Sequence, residues 1–343
     1  MRLLLAGLLL VGCGSDDSGQ PPLTHDTALD CPSPAGLPFE LDSFGFQNGQ
    51  NATLVTNDPR DKDAAADNLG NPGGLVASTF LPDADAPTMT PVAYQGIKAR
   101  TTLTGGLFST ALPGENVSLW SYDGSAWDMK GRGKTDAMGT YNLADTGFVA
   151  ANKEALYSVL EADGSCAEHY NLLLPPGSKV IVTDIDGTLT TDDNQSLMQI
   201  PDANYVPLMM GSANLMLQAW DAKHYPIIYM TARPHVLRVE SRIWLRDLMF
   251  PTGPLVTAQD VEDANVYKTL WLKRIVDQFG WQVVAAYGNA LTDIQAYQNV
   301  GIPKDVTFIV GPNAGMAGTQ PIDNMDYAAH IASFVAIQPD NAN

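Results

Sequence analysis

Between residues 180 and 310 the chain repeats one pattern: a short apolar run gives way to polar residues and then to a helical stretch. The apolar runs fall at 180–183, 226–230, 255–257, 283–287 and 306–310, and the helical stretches lie near 211–223, 235–249, 264–279 and 291–299. Strand alternating with helix predicts a parallel sheet covered on both faces, because each parallel connection needs a crossover of helix length. Ligands of such sheets bind beyond the carboxyl ends of the strands. Chemistry is therefore to be sought in the residues just after each run.

Those residues are not ordinary loop residues. Asp184-Ile185-Asp186-Gly187-Thr188 follows the first run, Thr231-Ala232-Arg233-Pro234 the second, and Gly288-Asn289-Ala290-Leu291-Thr292-Asp293 the fourth. In the helical stretch 266–279, Lys268 shares a face with Leu272, Ile275 and Phe279 at i, i+4, i+7 and i+11. A lysine on an apolar, sheet-facing side is costly unless it meets an anion or a carboxylate. Taken singly, Thr231 reads as a strand-end hydroxyl, Asp293 as an acid favoured by a helix dipole, and Lys268 as a snorkelling side chain. Together they form one constellation.

This ordered set resembles the haloacid-dehalogenase superfamily of phosphotransferases. The resemblance implies a Rossmann-like parallel sheet and Mg2+-dependent hydrolysis of a phosphomonoester through an aspartyl-phosphate. Asp184 is then the nucleophile and Asp186 the general acid and base. Mg2+ falls to the Asp184 carboxylate, the Asp186 main-chain carbonyl, Asn289 and Asp293. Gly187, Thr188, Thr231, Ala232, Arg233 and Lys268 are assigned to the phosphoryl group, and Lys268 is also counted as catalytic. Asn289 departs from the commoner Gly-Asp-x-x-x-Asp form. With Tyr229-Met230-Thr231-Ala232-Arg233-Pro234, Tyr267-Lys268 and Asp293-Ile294-Gln295-Ala296-Tyr297, the set resembles the catalytic domain of lipins, which are phosphatidate phosphatases. Trp244-Leu245, Phe250-Pro251-Thr252-Gly253, Phe308-Ile309-Val310-Gly311 and Asp326-Tyr327-Ala328-Ala329-His330 look still more like the C-terminal domain of Nir-type phosphatidylinositol transfer proteins. That domain binds phosphatidate without the catalytic carboxylates, whereas both Asp184 and Asp186 are present here. Phosphatidate or a related lipid phosphate is the expected substrate. A non-specific extracytoplasmic phosphomonoesterase and a non-catalytic phosphatidate-binding module are the alternatives.

Only residues 191–226 separate the first two motifs, which leaves little chain for a large cap and favours an open site. The run Tyr205-Val206-Pro207-Leu208-Met209-Met210 reads either as a lipid-touching edge or, more readily, as part of the domain's own core.

The first half has a different grammar. From about residue 39 to 174, short β-type runs at 92–99, 117–122, 156–160 and 170–174 are separated by Gly105-Gly106, Pro113-Gly114, Asp123-Gly124 and Asp163-Gly164. This predicts a β-sandwich at 39–176, and residues 113–141 resemble the immunoglobulin-like or transthyretin-like modules of secreted bacterial proteins. Pro175-Pro176-Gly177 marks the boundary to a phosphatase-like domain at 177–338, with 339–343 as a tail. Asp58, Asp61, Asp63 and Asp67 invite a calcium reading, but the spacing lacks the glycine and closing glutamate of a helix-loop-helix site, so a solvated acidic loop is expected.

Residues 1–12 hold one arginine and an apolar run of about half the ~20 residues that span a bilayer, the form of a signal peptide. Leu10-Val11-Gly12-Cys13 resembles the bacterial lipobox, which implies a lipidated Cys13, a tether at 13–38, and a place on the cell envelope facing the periplasm or the exterior. An ordinary secretory signal is the alternative. Cys31 and Cys166 could pair in such a compartment. The formal charge of −19, from 19 basic and 38 acidic residues, excludes nucleic acid as a partner. It also requires any phosphate chemistry to rest on local positive charge, to which Arg238 and Arg242 are expected to add.

Overall fold

The computed structural model describes residues 45–51, 62–63, 67–72, 76–78, 94–96, 98–100, 109–137, 140–142, 152–162, 164, 166–199, 205–234, 237–258 and 264–342. Cys13, Cys31, Asp58 and Asp61 lie outside them.

The first half is built of strands. β1 (Asn68–Gly70), β2 (Val76–Ser78), β3 (Asn116–Tyr122), β4 (Trp127–Lys134), β5 (Ala155–Leu160) and β6 (Cys166–Leu173) form a six-stranded sheet in the order β2-β1-β6-β5-β3-β4. Every pair is antiparallel except β1 with β6. The Asp123-Gly124 turn joins β3 to β4, and Asp123 Oδ1 accepts the amides of Ser125 and Ala126. β4 had no apolar run to announce it: it is an edge strand whose Lys130, Arg132 and Lys134 alternate with glycine.

The second half holds β7 (Lys179–Thr183), α1 (Ala213–Asp221), β8 (Ile227–Pro234), α2 (Arg238–Asp247), β9 (Leu255–Ala258), α3 (Ala264–Lys273), β10 (Gln282–Gly288), α4 (Leu291–Asn299), β11 (Thr307–Val310) and β12 (Gln320–Ile322). The strands form one six-stranded, wholly parallel sheet in the order β9-β8-β7-β10-β11-β12. This is the Rossmann-like order, with its reversal between β7 and β10. β12 was not legible in the sequence, being three residues long with a proline, which an edge position tolerates.

Alternation along the strands divides the apolar side chains between two cores. Ile181, Ile227, Tyr229, Ala285 and Tyr287 face α1 and α2 through Met216, Trp220, Ile243 and Trp244. Val180, Val182, Ile228, Met230 and Ala286 face α3 and α4 through Trp271, Leu272, Ala296 and Tyr297. Val206 and Met209 pack against the first core and Met210 is fully buried within it, so the run at 205–210 serves the domain's own interior.

The second core also receives Leu69, Ala77, Tyr170, Leu172 and Leu174, so the two halves share apolar packing. Asp67 anchors the junction. It is fully buried and accepts hydrogen bonds from Tyr170 N, Leu255 N, Arg238 Nη2 and Arg242 Nη2. Burial pushes its carboxyl up, but Arg242, Arg238 and the two amides outweigh this and hold it below the usual range. Two expectations are corrected. Asp67 is not in a solvated acidic loop, and Arg238 and Arg242 do not extend a positive patch, because their charge is directed at Asp67.

On the opposite face of the sheet, Trp220 Nε1 donates to Tyr287 Oη at 2.7 Å and Tyr287 Oη lies 2.9 Å from His330 Nε2. Tyr287 Oη thus links Trp220 to His330 across the core. Burial lowers His330 to about 4 from the ordinary 6.5. A depressed histidine contributes stability that is complete above pH 6.5 and lost as pH falls toward 4, to a total of about 3 kcal/mol. His330→Gln, which keeps a hydrogen-bond partner for Tyr287, is expected to flatten the fall in Tm between pH 6.5 and 4. An unchanged slope would assign the acid loss to other groups.

Candidate functional site

Asp184 leaves the end of β7 with its amide bonded to Tyr287 O on the neighbouring β10, which places it at the reversal of strand order. Ile185 is fully buried, and its carbonyl accepts the amides of Thr188, Leu189 and Thr190, closing the chain into a tight turn. That turn requires φ +69° at Gly187, the left-handed region where glycine is at ease.

Lys268 comes from α3 and meets two carboxylates, Asp184 Oδ1 and Asp293 Oδ1, each at 2.6 Å. The apolar-face placement thus ends in an ion pair. Burial acts against its charge, but the two carboxylates outweigh that and raise Lys268 above its ordinary value. Asp184 is itself raised by burial, with Lys268 opposing. Asp293 Oδ2 accepts the amides of Asn289 and Ala290 at 3.0 Å each, so the same residue opens α4 and steadies Lys268. This requires Gly288, since a Cβ there would stand 2.6 Å from that of Asp293.

Asp186 is gripped on its other side. Arg233 Nε and Nη2 donate to Asp186 Oδ2 and Oδ1, both at 2.8 Å, and Thr231 Oγ1 lies 3.2 Å from Oδ2. Arg233 Nη1 donates to Ser241 Oγ, which donates in turn to Leu237 O. The Arg233 side chain is 1% exposed, so its charge is turned on Asp186 in this arrangement.

Asp184, Asp186, Ala232, Arg233, Lys268, Asn289 and Asp293 line one cavity of about 400 Å3. Thr188 joins them through its Oγ1, 3.0 Å from Asp184 Oδ2 and 3.3 Å from Asn289 Oδ1. Thr231 joins through Asp186, and Gly187 through its contact with Asn289. Asp193 and Ser196 also line the cavity and carried no motif; the one hint to Asp193 was its place in the acidic pair just after Thr190-Thr191. Between β7 and α1, the described residues offer a bridge between Thr190 and Met209 and a single 3-10 turn, Gln195–Gln199, in place of a cap domain.

The lining holds four carboxylates, Asp184, Asp186, Asp193 and Asp293, against two cations, Lys268 and Arg233. That excess of negative charge, among hard oxygen donors, fits a divalent cation of the magnesium kind. Among the described residues no three His, Cys, Asp or Glu side chains form a ready-made cage. Asn289 adds an amide oxygen to the same lining.

Residues 181–311 match the family model for the LNS2 domain of PITM 1-3. Over 215 residues the chain is 27% identical to protein retinal degeneration B of Drosophila melanogaster, covering 62% of this chain and 16% of that protein. Over 239 residues it is 28% identical to human membrane-associated phosphatidylinositol transfer protein 3, covering 68% of this chain and 24% of the relative. The chain thus spans about a quarter or less of the length of these relatives. The LNS2 domain is haloacid-dehalogenase-like, in keeping with the parallel sheet and the Asp184-x-Asp186 motif.

Proposed function

We propose that the protein is a Mg2+-dependent phosphatase that hydrolyses a phosphomonoester through an aspartyl-phosphate, with phosphatidate or a related lipid phosphate as substrate. The observation that carries this reading is the pairing of two carboxylates with separate partners in one cavity: Asp184 against Lys268, Asp186 against Thr231 and Arg233. A site that only bound a phosphate would have no use for the second carboxylate. The lipid substrate is supported by the LNS2 match and by relatives named as phosphatidylinositol transfer proteins.

In this reading the Asp184 carboxylate, the Asp186 carbonyl and Asn289, with Asp293 beside them, would hold Mg2+, which would supply positive charge to screen the phosphate. Asp184 attacks phosphorus as the ester P–O bond breaks. Asp186 gives a proton to the departing alkoxide and takes one from the water that hydrolyses the aspartyl-phosphate. Lys268 and Thr231 steady the phosphoryl oxygens, and Arg233 orients the Asp186 carboxyl. The immunoglobulin-like reading of the first half, the lipidation of Cys13 and the envelope location belong to the same proposal, with the β-rich half as a support that holds the phosphatase face near a membrane.

The bidentate grip of Arg233 on Asp186 favours a second reading, a phosphatidate-binding module without turnover. One experiment separates the two. The full chain in detergent micelles with phosphatidate and Mg2+ should release inorganic phosphate, and Asp184→Asn should lower the rate by at least about a thousandfold, as loss of a nucleophile does. Saturable phosphatidate binding with no phosphate release, unchanged by Asp186→Asn, would establish the module. Equal rates on small phosphomonoesters would replace the lipid substrate with a non-specific one.

A further inference from the structure

An asparagine in a magnesium site poses a problem that an aspartate does not. A carboxylate offers oxygen whichever way it is turned, whereas a carboxamide offers oxygen on one side and a non-ligating NH2 on the other. On the reading above, Asn289 must be held with Oδ1 toward Asp184.

We infer that Asp193 is the residue that holds it: a positioning residue that fixes the Asn289 amide by accepting its Nδ2 and returns to the site the negative charge that asparagine lacks. Asp193 Oδ1 lies 2.7 Å from Asn289 Nδ2, and Asn289 Oδ1 is thereby turned to Thr188 Oγ1, the hydroxyl it shares with Asp184 Oδ2. The main chain of Asn289 is already fixed, its amide on Asp293 Oδ2 and its carbonyl on Asn313 Nδ2. The turn of the amide plane is what Asp193 decides.

The loop that carries Asp193 is built to hold it in place. Asp192 accepts Asn194 N and Gln195 Nε2, while Gln195 Oε1 accepts Tyr205 Oη and Leu208 N. Beneath the pair lies Gly187, where a Cβ would stand 2.0 Å from Asn289 Nδ2 and 2.4 Å from Asp193 Oδ1. The bare Cα leaves the room in which the amide and the carboxylate meet. This inference rests on the magnesium reading and deepens it.

The test reads cation binding, with Mn2+ as the probe followed by electron paramagnetic resonance and Mg2+ as its competitor, on the full chain without substrate. Asp193→Ala should weaken Mn2+ binding by about tenfold or more, the usual effect of removing a residue that orients a ligand. In the Asn289→Asp background the same replacement should cost nothing or tighten binding, because a carboxylate needs no orienting and two facing acids repel. Asp193→Asn, which keeps an accepting oxygen, should lose less than Asp193→Ala and serves if the alanine variant does not fold. An equal loss in both backgrounds, no loss at all, or equal losses for Asn and Ala would overturn the positioning role. Mn2+ uptake by the unaltered chain keeps the magnesium reading standing in each of those cases. Absence of uptake by the unaltered chain would bring down both.

Discussion

Replacing Asp67 by alanine is expected to lower Tm by about 10 °C, although Asp67 lies far from the cavity in sequence and takes no part in it. The carboxylate is fully buried and faces two arginines of α2, Arg238 with its side chain wholly buried and Arg242 nearly so. Deleting one partner of a buried ion pair leaves the other charge unsolvated, at a cost of about 3–5 kcal/mol. In a domain of about 150–250 residues, the size of the parallel half, each kcal/mol moves Tm by about 2–4 °C. Two backbone amides, Tyr170 N and Leu255 N, lose their acceptor in the same step. Thermal unfolding of Asp67→Ala measures the effect. The combination Asp67→Leu, Arg238→Met and Arg242→Met is expected to recover much of the loss, since apolar groups of similar size replace buried ion pairs at little cost. A Tm within about 2 °C of the unaltered protein for Asp67→Ala would mean that water reaches the arginines and that the junction is not held by this charge.

The second large effect is expected at Lys268. Lys268→Met leaves Asp184 and Asp293 facing one another without their shared cation, and turnover should fall by about a hundred- to a thousandfold. The stability change carries a pH signature. Asp184 is already raised by burial, and without Lys268 it rises further. A carboxyl whose folded pKa exceeds its unfolded value weakens the fold as pH climbs from about 3.8 through the folded value. The variant should therefore lose more at pH 8, by about 3–5 kcal/mol, than at pH 5. Denaturation curves of both proteins at the two pH values decide the matter. Equal losses at pH 5 and pH 8 would show that Asp184 does not carry the effect. Added Mg2+ should restore part of the stability at pH 8, since a divalent cation between the same carboxylates replaces the missing charge.

Much of the parallel half was legible from the sequence because its information is local. A strand buried on both faces is a continuous apolar run, and Val180-Ile181-Val182 is such a run whatever surrounds it. Lys268 was placed by its spacing with Leu272, Ile275 and Phe279, and all four are buried. Two edge strands were harder to read: β4 is written mostly in charged residues and glycine, and β12 in three residues, so that each is defined by its neighbour more than by its own burial. Arg233 was assigned to a phosphate from its motif; its fork on Asp186 depends on how β8 lies against the turn after β7, a relation between segments 47 residues apart.

The residue order alone was enough for the alternation of strand and helix between 180 and 310 and for the strand ends that hold Asp184, Thr231 and Asn289. Each of these follows from periodicity and from the placement of polar residues after apolar ones. Tertiary structure alone decided what the acids outside the motifs do. Asp67 and Arg242 are 175 residues apart, and Asn289 and Asp193 are 96 apart. An isolated aspartate carries no periodic pattern, so whether it is solvated, buried against arginine or set to hold an amide depends on which surface the rest of the chain brings to it.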